Sequence, residues 1–448
     1  MCEALAVRDK GRLAVQAQFC YPFSSMLLPV LSFVLGLCFA LLTLNAFRPL
    51  LRPAPLAVLS FFPGWLAIEL ALHHAIVAAA LAGLLAWAGA LRAWPGQLGF
   101  FLSIGSALAL VACWRRGFQA RKAVDDALRE ALGPRWEDFI DRPLLERLPP
   151  RPERWRWAAP FSVRRRGVEV LRDIVFAEPV AGVRLRLDLY RPKTREAGCP
   201  ALLFVHGGGW AIGYKERQAQ PMLYGLAAQG WVCATIDYRL SPRATFPDHL
   251  IDVKHGLAWM RRHGPEYGAD PGFLVVSGNS AGGHLAALAA LTPNDPRYQP
   301  GFEAADTSVD GCVAIYGVYD LADREHLWPD RFGLRLVQQL VLKSTPEAEP
   351  EAFDRASPLV HVRPDAPPFL VLHGVLDGLA PVAGARSFVR ALRGVSRNPV
   401  AYAELPGGQH AFEIFHSPRG DLALAGVYRF LAWLRSRCDE KRGRASTG

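Results

Sequence analysis

Apolar runs fill the first quarter of the chain and alternating patterns fill the rest, with the change near residue 115. Met26 to Phe47 carries no charge and as a helix is long enough to cross a hydrocarbon layer of about 30 Å. Further apolar runs follow at Leu56 to Leu72, Ala75 to Leu91 and Leu98 to Trp114, so three or four membrane-crossing helices are expected. The first run exceeds the apolar core of about 7–15 residues found in cleaved signals and lacks a clear A-x-A-like site, so it is expected to stay on the chain. Glu69 interrupts the second run, and His73 and His74 follow it. An ionisable residue at membrane depth is a functional candidate, but a short helix lying at the water–lipid interface accounts for all three residues without chemistry, and that is the expectation.

Residues 120–167 are rich in proline, arginine and tryptophan, as in LPPRPERWRW from Leu148 to Trp157. Proline forbids a long helix there, and the basic aromatic mixture suits a linker packed on the next domain or resting on lipid headgroups. From Val168 onward short apolar runs alternate with helical patterns. Strands are expected at Val168 to Phe176, Val183 to Tyr190, Ala201 to Val205, Trp231 to Ile236, Phe273 to Ser277, Val309 to Tyr316, Phe369 to His373 and Val400 to Leu405. Helices are expected at Gln218 to Ala228, Leu250 to Arg262, Ala281 to Leu291, Ala383 to Leu392 and Leu422 to Arg435. Several strands are continuous apolar runs, as in a parallel sheet covered on both faces. The reading is an α/β fold, a mostly parallel doubly wound sheet over residues 168–448, preceded by an all-α transmembrane region over 1–119 and the linker 120–167. Residues 319–354 have the position of a cap, with Trp328, Phe332 and Leu334 as candidates to line a pocket.

Charge and cysteines refine this picture. The net charge of +10 over 448 residues comes from arginine, much of it between Arg115 and Arg166, where it marks a membrane junction. No recognition motif accompanies it, so nucleic acid is not an expected partner. With four spans the tail residues Arg8, Lys10 and Arg12 share a side with the exit residues Arg115, Arg116, Arg121 and Lys122, leaving Arg48, Arg52 and Arg92 opposite, whereas three spans separate tail from exit. Each model puts the dense basic exit, and the domain after it, on the cytoplasmic side of the cell membrane. The eight cysteines form no CxxC pair and fit free thiols in a reducing compartment.

The chemistry lies at strand ends, where sites of such sheets are built. Gly278-Asn279-Ser280-Ala281-Gly282 matches G-x-S-x-G between a strand and a helix, the context of a nucleophile elbow. HGGGW, His206 to Trp210, follows the strand Ala201 to Val205. Its glycine N–H groups, from Gly208 and Gly209, together with that of Ala281, are suited to hold an oxyanion. A phosphate cradle is the competing reading of these glycines, but no lysine follows at P-loop spacing. A serine needs a base, and the base needs an acid. Asp377 in HGVLDGLAP and His410 in GGQHAF follow the last two strands, giving the order Ser280, Asp377, His410. Asp320 and Asp323 are rival acids, and His373 and His284 rival bases.

Together HGGGW, DYRLSP (Asp237 to Pro242), GNSAGG, HGVLDGLAP and GGQHAF resemble the hormone-sensitive-lipase-like esterases of the α/β-hydrolase superfamily. The resemblance covers about Val168 to Arg435. It implies a carboxylester hydrolase with Ser280 as nucleophile, Asp377 as acid, His410 as base and Gly207 to Gly209 framing the oxyanion hole. Trp210 and Asn279 are the expected substrate contacts, and no metal or organic cofactor is implied. Asn279 stands where that family often has Asp, and the HG…D form around Asp377 is closer to feruloyl-esterase-like and kynurenine-formamidase-like hydrolases. The multi-span anchor resembles membrane-associated lipases and esterases of actinobacteria. Small-molecule or lipid esters at a membrane are the expected substrates. Amide or formamide hydrolysis by the same triad, an acyltransferase and a silent membrane-bound binding module are the alternatives, the last opposed by the intact Ser280, His410 and glycine motifs. No motif bears on oligomeric state.

Overall fold

The computed structural model describes residues 23–149, 151–329 and 331–446, so Arg8, Lys10 and Arg12 lie outside the described residues. Among the described residues six α-helices precede the first strand: α1 Phe23–Phe47, α2 Ala54–Glu69, α3 Ala71–Trp87, α4 Trp94–Gly117, α5 Gln119–Leu132 and α6 Arg142–Arg147. Among the described residues two helical stretches, Met26–Phe47 and Trp94–Leu132, are long and apolar enough to cross a membrane, with a third if α2 and α3 count as one broken span. Four separate spans are not supported, since α2 and α3 have only 16 and 17 residues where about 20 are needed.

The chain divides into two compact units, residues up to Leu41 with Ala75–Leu108, and Leu42–His74 with Ala109–Gly448. In the first, α1 and α4 are tied by Ser32 Oγ donating to the carbonyl of Gly96 at 3.1 Å, a small polar contact of the kind that joins apolar helices.

The second unit is built on eight strands: β1 Val168–Val180, β2 Val183–Pro192, β3 Cys199–Val205, β4 Val232–Ile236, β5 Ala269–Asn279, β6 Gly311–Ile315, β7 Phe369–Gly374 and β8 Val400–Leu405. Its helices are α7 Gln220–Ala228, α8 Asp248–His263, α9 Ala281–Leu291, α10 Arg331–Val341, α11 Pro350–Arg355, α12 Val382–Val395 and α13 Pro418–Ser446. The sheet order is β1-β2-β4-β3-β5-β6-β7-β8, antiparallel through β1, β2 and β4 and parallel from β4 to β8. All eight expected strands are present. Side chains alternate along each strand, so Leu202 and Phe204 pack with α5, α7 and α13 on one face, whereas Leu203 and Val205 pack with α8, α9 and α12 on the other. Both faces are therefore apolar, which is why these strands read as unbroken hydrophobic runs.

Two segments expected upstream of the catalytic domain pack onto it. Helix α5 lies against β8 and α13, burying Val124 and Leu128. Further along the linker, Trp157 Nε1 donates to Asp421 Oδ2 at 2.9 Å and Arg156 is buried against Glu153. Helix α2, expected within the membrane region, also belongs to this unit. Trp65 Nε1 donates to the carbonyl of Ala411 at 2.8 Å. Glu69 is buried rather than interfacial: it is ion-paired with Arg419 and accepts from Ser417 Oγ at 2.6 Å. Buried protein donors satisfy this carboxylate, which corrects the interfacial reading.

Candidate active site

Ser280 stands between β5 and α9 with φ 55° and ψ −123°, a left-handed strain that a non-glycine residue adopts only when its surroundings enforce it. They do so here. The Ser280 N–H donates to the carbonyl of Ile315 at 2.9 Å, and the flanking glycines sit against backbone. A Cβ at Gly278 would lie 2.3 Å from the Gly282 carbonyl oxygen, and one at Gly282 would lie 2.0 Å from that of Val205. Only glycine lets β3, β5 and α9 approach this closely, and the approach lifts the serine hydroxyl clear of the sheet.

Asp377 follows β7 and His410 follows β8. The Asp377 carboxylate is fully used: Oδ1 accepts from the N–H of Leu379 at 2.9 Å and of Ala380 at 2.8 Å, while Oδ2 lies 2.7 Å from His410 Nδ1 and 3.2 Å from His373 Nε2. Burial by itself would raise this carboxyl, but the charge of His410 and the hydrogen bonds from His373 and His410 hold it well below its ordinary value. A carboxylate only accepts, so a neutral His410 carries its proton on Nδ1 and leaves Nε2 without one. Ser280 and His410 form no direct hydrogen bond here. The His410 ring is packed by Tyr316 at 4.3 Å and by the edge contact of Phe61, from α2, at 6.0 Å between centroids.

The rival groups are otherwise engaged. His284 accepts from Trp210 Nε1 at 3.2 Å and binds the carbonyl of Ala356 through Nε2; burial pushes it down to about 4. His373 Nε2 is spent on the Ala380 carbonyl at 2.9 Å and on Asp377. Asp320 is paired with Arg324, and Asp323 accepts from the backbone of Leu327 and Trp328.

Two expectations are corrected by the geometry. The Gly207 N–H donates to Gln218 Oε1 at 2.7 Å, so it is not an oxyanion donor. Among the described residues the N–H groups of Gly208, Gly209 and Ala281 have no acceptor. Asn279 does not line the cavity: its amide is buried, donating to Tyr316 Oη at 3.0 Å and Glu413 Oε1 at 2.8 Å. Consecutive residues at a strand end point to opposite faces, so the neighbour of Ser280 faces inward. Glu413, fully buried with Tyr316 and Asn279, has its carboxyl raised by burial.

Ser280 and Asp377 share a cavity of about 540 Å³ with Gly209 and Trp210, within the usual span of about 300–1,000 Å³ for small-molecule sites. The cap contributes Leu327, Trp328, Leu336 and Val337. Leu334 is buried away from it beside a separate cleft, and the side chain of Phe332 lies outside the described residues. The opposite wall comes from Leu51, Pro55, Ala57 and Val58, none of which the sequence reading singled out. Its only sequence trace is Glu69, a charge whose partner had to be found elsewhere in the fold.

Residues 187–392 match the BD-FAE family. The chain is 41% identical to the probable carboxylic ester hydrolase LipM of Mycobacterium tuberculosis over 404 residues, covering 87% of this chain and 90% of that protein. It is 43% identical to esterase LipC of the same organism, covering 68% and 73%. Among solved structures, Thermogutta terrifontis esterase 2 phosphonylated by sarin is similar at a TM-score of 0.50 and 27% identity, over 59% of this chain and 92% of that one. With an eight-stranded sheet, a strained serine elbow and an extended match to such relatives, the chain belongs to the α/β-hydrolase family of serine carboxylic ester hydrolases.

Proposed function

We propose that the protein is a membrane-anchored serine esterase acting on lipid or other apolar esters, with Ser280 as nucleophile, His410 as base and Asp377 as the acid that orients it. The observation that carries this reading is the 2.7 Å contact between His410 Nδ1 and Asp377 Oδ2, beside a cavity that also holds Ser280. His410 Nε2 takes the proton of Ser280 Oγ as the oxygen attacks the ester carbonyl. The N–H groups of Gly208, Gly209 and Ala281 take up the negative charge on the carbonyl oxygen. The protonated His410 then gives its proton to the departing alcohol, leaving an acyl-serine. Water, deprotonated by the same nitrogen, releases the acid and restores Ser280. Trp210 closes the cavity beside the oxyanion donors.

The two long apolar helices support membrane anchoring, and the exposed basic residues Arg121 and Lys122 on α5 favour a cytoplasmic catalytic domain. The catalytic unit is taken to include α2 and the segment 120–167 along with the sheet. The test is labelling of the full-length protein with a fluorophosphonate, beside Ser280→Ala, followed by hydrolysis of p-nitrophenyl esters and matched anilides. Labelling lost in the variant and ester turnover far above anilide turnover support the proposal. Folded protein that neither labels nor hydrolyses esters overturns it, and faster anilide turnover points to an amidase.

A further inference from the structure

We infer that α2 forms one wall of an acyl-binding site and that the substrate is a long-chain acyl ester drawn directly from a lipid bilayer; this rests on Ser280 as nucleophile. The cavity at Ser280 runs between the segment 51–58 and cap residues that include Leu336 and Val337 of α10, and α2 and α10 pack together. Among the described residues lining it, only Ser280, Asp377 and the two tryptophans, Trp210 and Trp328, carry a polar side-chain atom. A sugar or a phenolic acid would bury hydroxyls against a mostly apolar lining, at about 1–3 kcal/mol for each one left without a partner. A hydrocarbon chain has no such penalty.

The mouth of the cavity points to where that chain comes from. Leu51, Val58 and Leu336 line it while remaining 41%, 48% and 60% exposed, so they mark its rim. The outward side of α2 continues as Leu56, Leu59 and Phe62, all exposed, on a helix without a charge from Ala54 to Ile68. A continuous apolar surface of this kind is disfavoured in water and marks contact with lipid. The inner side of the same helix is fixed to the catalytic loop by the Trp65 bond to Ala411, the Phe61 contact with His410 and the buried Glu69–Arg419 pair. One helix thus meets lipid on its outside and the reacting atoms on its inside.

The experiment uses the full-length protein reconstituted in phosphatidylcholine vesicles, with p-nitrophenyl palmitate incorporated in the bilayer and p-nitrophenyl butyrate in solution. Two variants alter the wall, Ala57→Trp to fill it and Val58→Asp to charge its rim. Val58 is half-exposed, so that variant remains informative even if Ala57→Trp does not fold, which thermal unfolding reports. The palmitate-to-butyrate ratio of kcat/KM is expected to fall by about ten-fold or more in each folded variant, since even one methylene's worth of pocket contact commands such factors. An unchanged ratio in Val58→Asp, or palmitate turned over in detergent solution but not from vesicles, overturns the inference. Those results would leave fluorophosphonate labelling and butyrate hydrolysis intact, whereas failure of the Ser280 assignment removes both.

Discussion

Replacing Asp377 by asparagine changes one atom and tests the logic of the site. The N–H groups of Leu379 and Ala380 both point at Oδ1, so in Asp377→Asn the amide oxygen is held at that position and its NH2 is driven to where Oδ2 was. There it faces His410 Nδ1 at a distance of about 2.7 Å. Two donors cannot share that line, so Nδ1 loses its proton and Nε2 gains one. The base then presents an N–H to Ser280 and cannot accept its proton. In serine hydrolases the wrong tautomer lowers kcat by about 10⁴, or about 5 kcal/mol of transition-state stabilisation. His373 adds a smaller effect, because its Nε2 proton is committed to the Ala380 carbonyl and is repelled by the same NH2, so a loss of about 1–3 kcal/mol in stability is expected as well. The assay is kcat on p-nitrophenyl butyrate, with thermal unfolding to establish that the variant is folded. A folded Asp377→Asn enzyme that retains more than about a tenth of wild-type kcat would refute the tautomer argument, since one tenfold step is only about 1.4 kcal/mol.

Three further outcomes are expected. Glu69→Gln leaves Arg419, 2% exposed, without its counter-charge, and stability should drop by about 3–5 kcal/mol; pairing it with Arg419→Met should recover much of this in a double-mutant cycle, and a single-variant loss below about 1 kcal/mol would show that the pair does not hold α2. Gly282→Ala forces a methyl against the Val205 carbonyl oxygen and should cost about 1–3 kcal/mol or more while slowing fluorophosphonate labelling; normal labelling would mean that the elbow tolerates a wider gap. Lys254, fully buried between the Thr292 carbonyl and Thr307 Oγ1, is pushed down to about 8 by burial from its ordinary 10.5. The folded protein therefore binds this proton less tightly than the unfolded chain, a penalty of about 3 kcal/mol that is present in full below pH 8 and disappears as pH rises from 8 to 10.5. Unfolding curves of the wild type should gain that stability over this window relative to Lys254→Met, and parallel curves would refute the assignment.

What could be read from the sequence was local. The elbow at Ser280, the glycine turn after β3 and the loops carrying Asp377 and His410 each follow a strand recognisable from its own residues, and in a parallel sheet the carboxyl ends of strands meet on one edge. Strand order then brings separate loops to one place without any further signal. Where the reading failed, the answer lay in a partner distant along the chain. Gly207, expected to frame the oxyanion hole, has its N–H taken by Gln218, eleven residues on. Asn279 turned inward to Glu413, a contact across 134 residues. Helix α2 is the largest case. Its apolar residues have the same pattern whether they face lipid, a protein core or a substrate, because hydrophobic burial is non-directional and records only that water is excluded. The contact that ties α2 to the active-site loops joins Glu69 to Arg419, 350 residues apart. The sequence by itself determined the sheet and placed Ser280, Asp377 and His410 at the ends of its strands, since these follow from backbone geometry within a few residues. Only the tertiary structure decided that residues at the start of an apolar helix far upstream of the sheet line its cavity, because that choice depends on which of many equally apolar surfaces is near enough to cover it.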